Sequence, residues 1–145
     1  MQETNEEIKR IFREFSDEDI LSIDKLPQAG SERQYYRIHT VGKSYIATKG
    51  LNIKENDTFI YFSEHFAQKE LATARVLFVS AKRDIYIQED LGNTSLLDKL
   101  ESRGFSDEIY ELYRITLKQL ALLQVKGHQQ LDYSRCLTNT SFGKQ

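Results

Sequence analysis

The chain has 145 residues, 39% of them hydrophobic and 29% charged, with a formal net charge of −2. That length is enough for one domain with its own buried core, and the composition is that of a globular protein rather than a disordered or fibrous one. The slight acidity and scattered Lys and Arg exclude the concentrated positive charge that nucleic-acid binding requires, and no apolar run is long enough to predict a membrane-spanning helix.

From the N-terminus, Ile8, Ile11, Phe12 and Phe15 recur at helical spacing and predict an amphipathic helix over Glu3 to Phe15. Met1 to Arg13 are polar and charged, so this is not a secretory signal, and the expected location is the cytoplasm. Ser16 is placed to cap a second short helix, Asp17 to Leu21, with Asp19 returning the bond. Pro27, the only proline, marks the exit from that region. Gln34 to Thr40 and Ser44 to Lys49 flank Val41-Gly42-Lys43 and predict a β-hairpin. A helix is expected from Asp57 to Lys69, with Phe59, Phe62 and Phe66 on one face. Arg75 to Ser80 and Asp84 to Glu89 predict a second hairpin around Ala81-Lys82-Arg83. After Gly92, helices are expected over Ser95 to Arg103 and Ser106 to Lys126. The latter carries Ile109, Leu112, Tyr113, Leu117, Leu120 and Leu123 on a broad apolar face, with Gly127 as its cap. The tail from His128 to Gln145 has little periodicity. This order predicts an α+β domain of mostly antiparallel strands with helices set to one side.

Several residues have chemistry suited to a nucleotide. Gly30 lets the backbone approach a phosphate, Ser31 adds a hydroxyl, and Arg33 supplies a planar cation, although an ordinary loop has the same residues. Ile46-Ala47-Thr48-Lys49 has the apolar-Ala-x-Lys form of a kinase strand whose lysine pairs with phosphates, while a lysine ending an edge strand is the plain alternative. A helix glutamate usually holds such a lysine. Glu64 has a suitable separation from Lys49 but projects off the Phe59, Phe62 and Phe66 face. Glu70 lies near the helix end, and Glu55 precedes the expected helix. In Gln88-Glu89-Asp90-Leu91-Gly92 the backbone of Glu89 and Leu91 offers a carbonyl and an N–H two residues apart, which suits an adenine edge. His39, His65 and His128 belong to no nucleophile–base–acid set. The single cysteine, Cys136, can form no internal disulfide, and no Cys/His cluster suggests a metal.

Taken together, the stretches Leu26 to Arg37, Ile46 to Lys49 and Gln88 to Leu96 resemble the aminoglycoside phosphotransferase and choline kinase-like superfamily, nearest its sugar-kinase branch. The resemblance implies a kinase-like N-terminal lobe and an ATP-dependent phosphotransferase, with Mg2+ in the full-length enzyme and a sugar-like hydroxyl as acceptor. By position, Gly30 and Ser31 cover the phosphates, Lys49 contacts them, and Glu89 and Leu91 hold adenine, with Glu64 the candidate partner of Lys49. It also implies an organisation into a helical segment (1–25), a nucleotide-binding lobe and hinge (26–92), helices after the hinge (93–127) and a tail (128–145). The motifs for transfer itself are missing. No histidine begins a His-x-Asp, Asp132 has Leu137 five positions on, and Ser141-Phe142-Gly143 has serine where a metal ligand should be. The expectation is an ATP-binding lobe that is inactive alone. The alternative is a kinase-lobe-like interaction module that forms homo-oligomers through the exposed face of the 106–126 helix.

Overall fold

Residues 2–28, 30–92 and 96–135 are described in a computed structural model of the chain. In chain order these residues form α1 (Gln2–Phe15), β1 (Ile20–Lys25), β2 (Gln34–Thr40), β3 (Ser44–Lys49), α2 (Ile53–Gln68), β4 (Val76–Val79), β5 (Ile85–Glu89), α3 (Leu96–Arg103) and α4 (Asp107–His128). A short 3-10 turn, Tyr133–Arg135, follows. The strands make one antiparallel sheet in the order β1-β2-β3-β5-β4, so the chain leaves β3, passes through α2 and β4, and returns beside β3 as β5. The fold is α+β, as the element order predicts.

The central position of β3 follows from its residues. Tyr45 to Thr48 are all buried, so this strand is covered on both faces. Strand alternation and register divide the sheet into two faces. Tyr36, Ile38, Tyr45, Ala47, Ile85 and Ile87 line one of them and form a single core with Ile8, Ile11 and Phe12 of α1. Phe12 and Phe15 approach Tyr45 with ring centroids 5.4 and 5.6 Å apart. Each large side chain buried there contributes roughly 1.5–3 kcal/mol, so α1 is an integral part of the domain.

The opposite face carries Tyr35, Arg37, Ser44, Ile46, Thr48, Tyr86 and Gln88, and α2 packs against part of it. Phe59 stacks on Tyr86 at 5.4 Å. The Ser63 hydroxyl accepts from the Val76 N–H (3.0 Å) and donates to the Ala74 carbonyl (3.1 Å), tying α2 to the start of β4. Asn56, fully buried, donates to the carbonyls of Gly50 (2.8 Å) and Arg83 (2.9 Å) and so fixes the first turn of α2 to the sheet.

Four expectations are corrected. Asp17 to Leu21 is not a helix: Ser16 accepts the Glu18 N–H (3.2 Å), and the chain straightens into β1. Five residues cannot repay helix nucleation, whereas pairing with β2 satisfies the backbone and lets Ile20 and Ile23 pack on the core. The boundary drawn at residue 25 therefore cuts through the sheet. Helix α2 begins at Ile53, a turn earlier than Asp57, because Asn52 caps it by accepting the Glu55 N–H at 3.1 Å. Gly127 lies inside α4, which runs on to His128. The side of α2 that carries Phe59, Phe62 and Phe66 is partly buried, and the deepest residues of the helix are Asn56, Ile60, Ser63 and His65.

Helix α4 starts where expected, with the Ser106 hydroxyl accepting the Ile109 N–H. Of its apolar row only Ile109 is fully buried; Tyr110 and Leu117 are 70% and 64% exposed. No helix among the described residues is long and apolar enough to cross a membrane. Ala29, Asn93 to Ser95, Cys136 and Ser141-Phe142-Gly143 lie outside the described residues.

Candidate functional site

The turn into β2 is built from its own side chains. Gly30 has φ +64, a conformation glycine adopts without steric cost. The Ser31 hydroxyl accepts the Arg33 N–H (3.2 Å), and Gln28 donates to the Ser31 carbonyl (2.7 Å). Beyond the turn, alternation puts Arg33 with Tyr35 and Arg37 on the α2 side of the sheet. There its guanidinium lies 3.3 Å from the Glu55 carboxylate and 5.5 Å from the Phe59 ring centroid. The side chain is only 13% exposed, and its buried Nε–H finds no acceptor among the described residues. Neighbouring Tyr86 has its phenol pushed up to about 12 by burial, with the charge of Arg33 opposing that rise, so this ring stays neutral.

At the other end of β5 the connector to α3 is fastened by Asp90. Its carboxylate accepts two bonds from Arg37 (2.8 and 3.1 Å), one from the Ser44 hydroxyl (2.6 Å) and one from the Gly92 N–H (2.9 Å). Burial works to raise this carboxyl, but the bonds from Arg37, Ser44 and Gly92 outweigh it and hold it down to about 2. The Glu89 N–H donates to the Arg75 carbonyl at 3.0 Å, while the N–H of Leu91 enters no hydrogen bond among the described residues. Leu91 itself is 74% exposed. Between the two ends, on the same face, Thr48 Oγ1 lies buried beside the Tyr86 hydroxyl, and Gln88 Oε1 is buried with no partner among the described residues. Ile85 to Glu89 at about 3.3 Å per residue separates these ends by about 13 Å. The result is a polar face with a cation at one end and, at the other, a backbone N–H that is unbonded among the described residues.

Lys49 is elsewhere. Alternation groups it with Tyr45 and Ala47 on the face covered by α1, and its ammonium lies 3.1 Å from Glu7. Glu64 is exposed on α2, lining a cavity of about 260 Å³ with His65, Lys69 and Arg135; it is not brought to Lys49. Gly30, Ser31, Arg33, Glu89 and Leu91 thus belong to the α2 side or to the two ends of the sheet, and Lys49 and Glu64 do not join them. The Lys49–Glu7 pair is partly solvated, at 23% and 25% exposure. A double-mutant cycle of Lys49→Met and Glu7→Gln in urea unfolding should therefore give a coupling of about 1 kcal/mol or less. A coupling several times larger would mean that the pair holds α1 in place.

Glu55, expected just before the helix, lies in its first turn because α2 starts at Ile53 and not at Asp57. The spacing Asn52-x-x-Glu55 was the available signal, since a capping side chain followed three residues later by an acid marks a helix N-terminus. The closure of Asp90 on Arg37, 53 residues away, has no local signature.

Among the described residues no group of His, Cys, Asp and Glu is arranged to hold a metal ion. Fold and site together define an α+β domain with one polar sheet face, part of which α2 covers. No protein-family profile matches the chain, and no curated protein sequence matches it.

Proposed function

We propose that the α2 side of the sheet binds ATP, and that the chain is the nucleotide-binding lobe of a small-molecule phosphotransferase related to the aminoglycoside phosphotransferase and choline kinase-like superfamily. The observation that carries this reading is the placement of Arg33, paired with Glu55, on the same face as the connector, whose Leu91 N–H is unbonded among the described residues. A kinase-type site needs a cation from the sheet steadied by a glutamate from the helix between the third and fourth strands, and a backbone edge for the base. Arg33 and Glu55 fill the first role here in place of Lys49 and Glu64, and Arg33 has the planar fork that suits phosphate oxygens. Gly30 and Ser31 cover the phosphates, and the Glu89 carbonyl with the Leu91 N–H takes adenine. Gln88 gains a partner from ligand or bound water. Mg2+ would enter with the nucleotide and offset its phosphate charge, with no ligand from the described residues, and the acceptor hydroxyl of a sugar-like substrate would be held by residues outside this lobe, which by itself binds without transferring.

Calorimetry with Mg2+ and a non-hydrolysable ATP analogue tests this. Arg33→Met, which keeps the packing on Phe59, should weaken binding by about tenfold or more through loss of a charge-assisted contact. Lys49→Met should leave affinity within about twofold, because its ammonium lies on the other face and is screened. Undiminished affinity in Arg33→Met, or no binding by the unaltered chain, overturns the reading.

A second reading has one observation in its favour. Tyr110, Tyr113, Leu117 and Leu120 are 70%, 38%, 64% and 47% exposed along α4, and apolar rows of this kind promote association. An interaction module would sediment as a stable oligomer and ignore nucleotide.

A further inference from the structure

Helix α2 carries a second stripe. Thr58, Tyr61, His65 and Lys69 recur at three- and four-residue spacing, so they share one side of the helix. Each holds the segment that ends α4 and follows it. The Thr58 hydroxyl shares its proton between the Arg135 carbonyl (3.0 Å) and the Lys54 carbonyl of its own helix (3.1 Å), and the Tyr61 hydroxyl accepts the Asp132 N–H (2.8 Å). The buried His65 ring lies 2.8 Å from the Gly127 carbonyl, which can only accept, so Nε2 carries the proton. Lys69 donates to the Gln130 amide oxygen at 2.9 Å. Arg135 lies over the Tyr61 ring, 3.9 Å from its centroid, and a Cβ on Gly127 would come within 3.0 Å of Phe66. The other side of α2 is tied to the sheet through Asn56 and Ser63, and its first turn holds Glu55 against Arg33.

We propose that residues 127–135 clamp α2 and thereby set the Arg33–Glu55 pair, so that any displacement of the end of α4 is read at Arg33. Helix α2 has neither glycine nor proline between Ile53 and Gln68, so it transmits movement as a rigid rod. From His65 back to Glu55 is about 15 Å along its axis. With the clamp released, α2 is held by Asn56, Ser63 and its packing on the sheet, and the tilt of its axis, and with it the Glu55 carboxylate, is less constrained. As a regulation of nucleotide binding this rests on the function proposed above; as a mechanical coupling it does not.

The buried Arg33 Nε–H is a probe of the coupling that needs no ligand. Two independent changes release the clamp. Thr58→Val with Tyr61→Phe removes two bonds from the α2 side, and Gly127→Val drives α4 off Phe66 without altering α2. In isotopically labelled protein the Asp132 amide should lose protection in each variant, and the Arg33 Nε–H should exchange about tenfold faster than in the unaltered chain. Circular dichroism should show helix content retained. If the Asp132 amide is released while Arg33 Nε–H exchange stays within about twofold, the coupling is refuted. If the Asp132 amide keeps its protection in both variants, the contacts do not form a clamp and the proposal also falls. Calorimetry with the Mg2+–ATP analogue separates the two ideas. Binding by the unaltered chain that weakens in both variants supports regulation, whereas nucleotide-blind protein with a coupled Arg33 refutes the function and the regulation and retains the mechanical clamp.

Discussion

Replacing Asn56 with leucine is expected to lower the free energy of unfolding by about 3 kcal/mol or more. The side chain is 0% exposed, and both of its N–H donors are used, at 2.8 Å to Gly50 and 2.9 Å to Arg83. Leucine matches the volume but leaves two carbonyls facing a group that cannot donate, and each buried, unsatisfied acceptor costs about 1–3 kcal/mol. Aspartate is no remedy, since an ionised carboxylate would face those same carbonyls in a site that water does not reach. Gly50 is constrained by the same contact: a Cβ there would lie 2.6 Å from Asn56 Oδ1, so Gly50→Ala must push the amide off its partners. Urea unfolding followed by circular dichroism measures both. A loss below about 1 kcal/mol in Asn56→Leu would show that α2 is not anchored through this residue. Glu55 is adjacent, so a loosened first turn should also weaken the Arg33–Glu55 pair.

The second large effect is at Asp90. Its side chain is 6% exposed and that of Arg37 11%, so Asp90→Ala leaves a guanidinium buried without its main partner, at a cost of about 3–5 kcal/mol. The pair also makes a definite prediction for acid. The carboxyl stands near 2 in the folded chain against an ordinary 3.8, so the unfolded state takes up the proton first as pH falls. Stability from this group is therefore present above about pH 4 and lost as pH falls to about 2; a shift of nearly two pH units corresponds to about 2 kcal/mol. Comparing urea midpoints at pH 6 and pH 2.5 in the unaltered protein and in Asp90→Asn isolates it. The variant should start less stable at pH 6 and lose less on acidification. Equal losses in the two proteins would mean that the acid sensitivity comes from other carboxylates.

These two residues also show what in this chain was legible without coordinates. The apolar period of Ile8, Ile11, Phe12 and Phe15 marked α1, and the turn residues around Gly42 and Lys82 marked both hairpins. Ser106 marked the start of α4. Each of these signals lies within a few residues of the element it specifies, which is why it can be read in order along the chain. Strand β1 escaped because Ile20 to Lys25 alternate imperfectly, with a bulge between Ile20 and Ser22, and only the pairing with β2 makes them a strand.

The amino-acid order by itself determined an α+β domain, its two hairpins, and which side chains of each strand lie together. Strand alternation alone puts Lys49 on the same face as Ala47. Only the tertiary structure decided which helix covers which side, because a strand's period of two is indifferent to what packs above or below it. With α1 on the Ala47 side, Lys49 meets Glu7; with α2 on the other, Arg33 meets Glu55 and Phe59. The closure of Asp90 on Arg37 and of His65 on Gly127 was decided in the same way, by distances between residues 53 and 62 positions apart that no local pattern encodes.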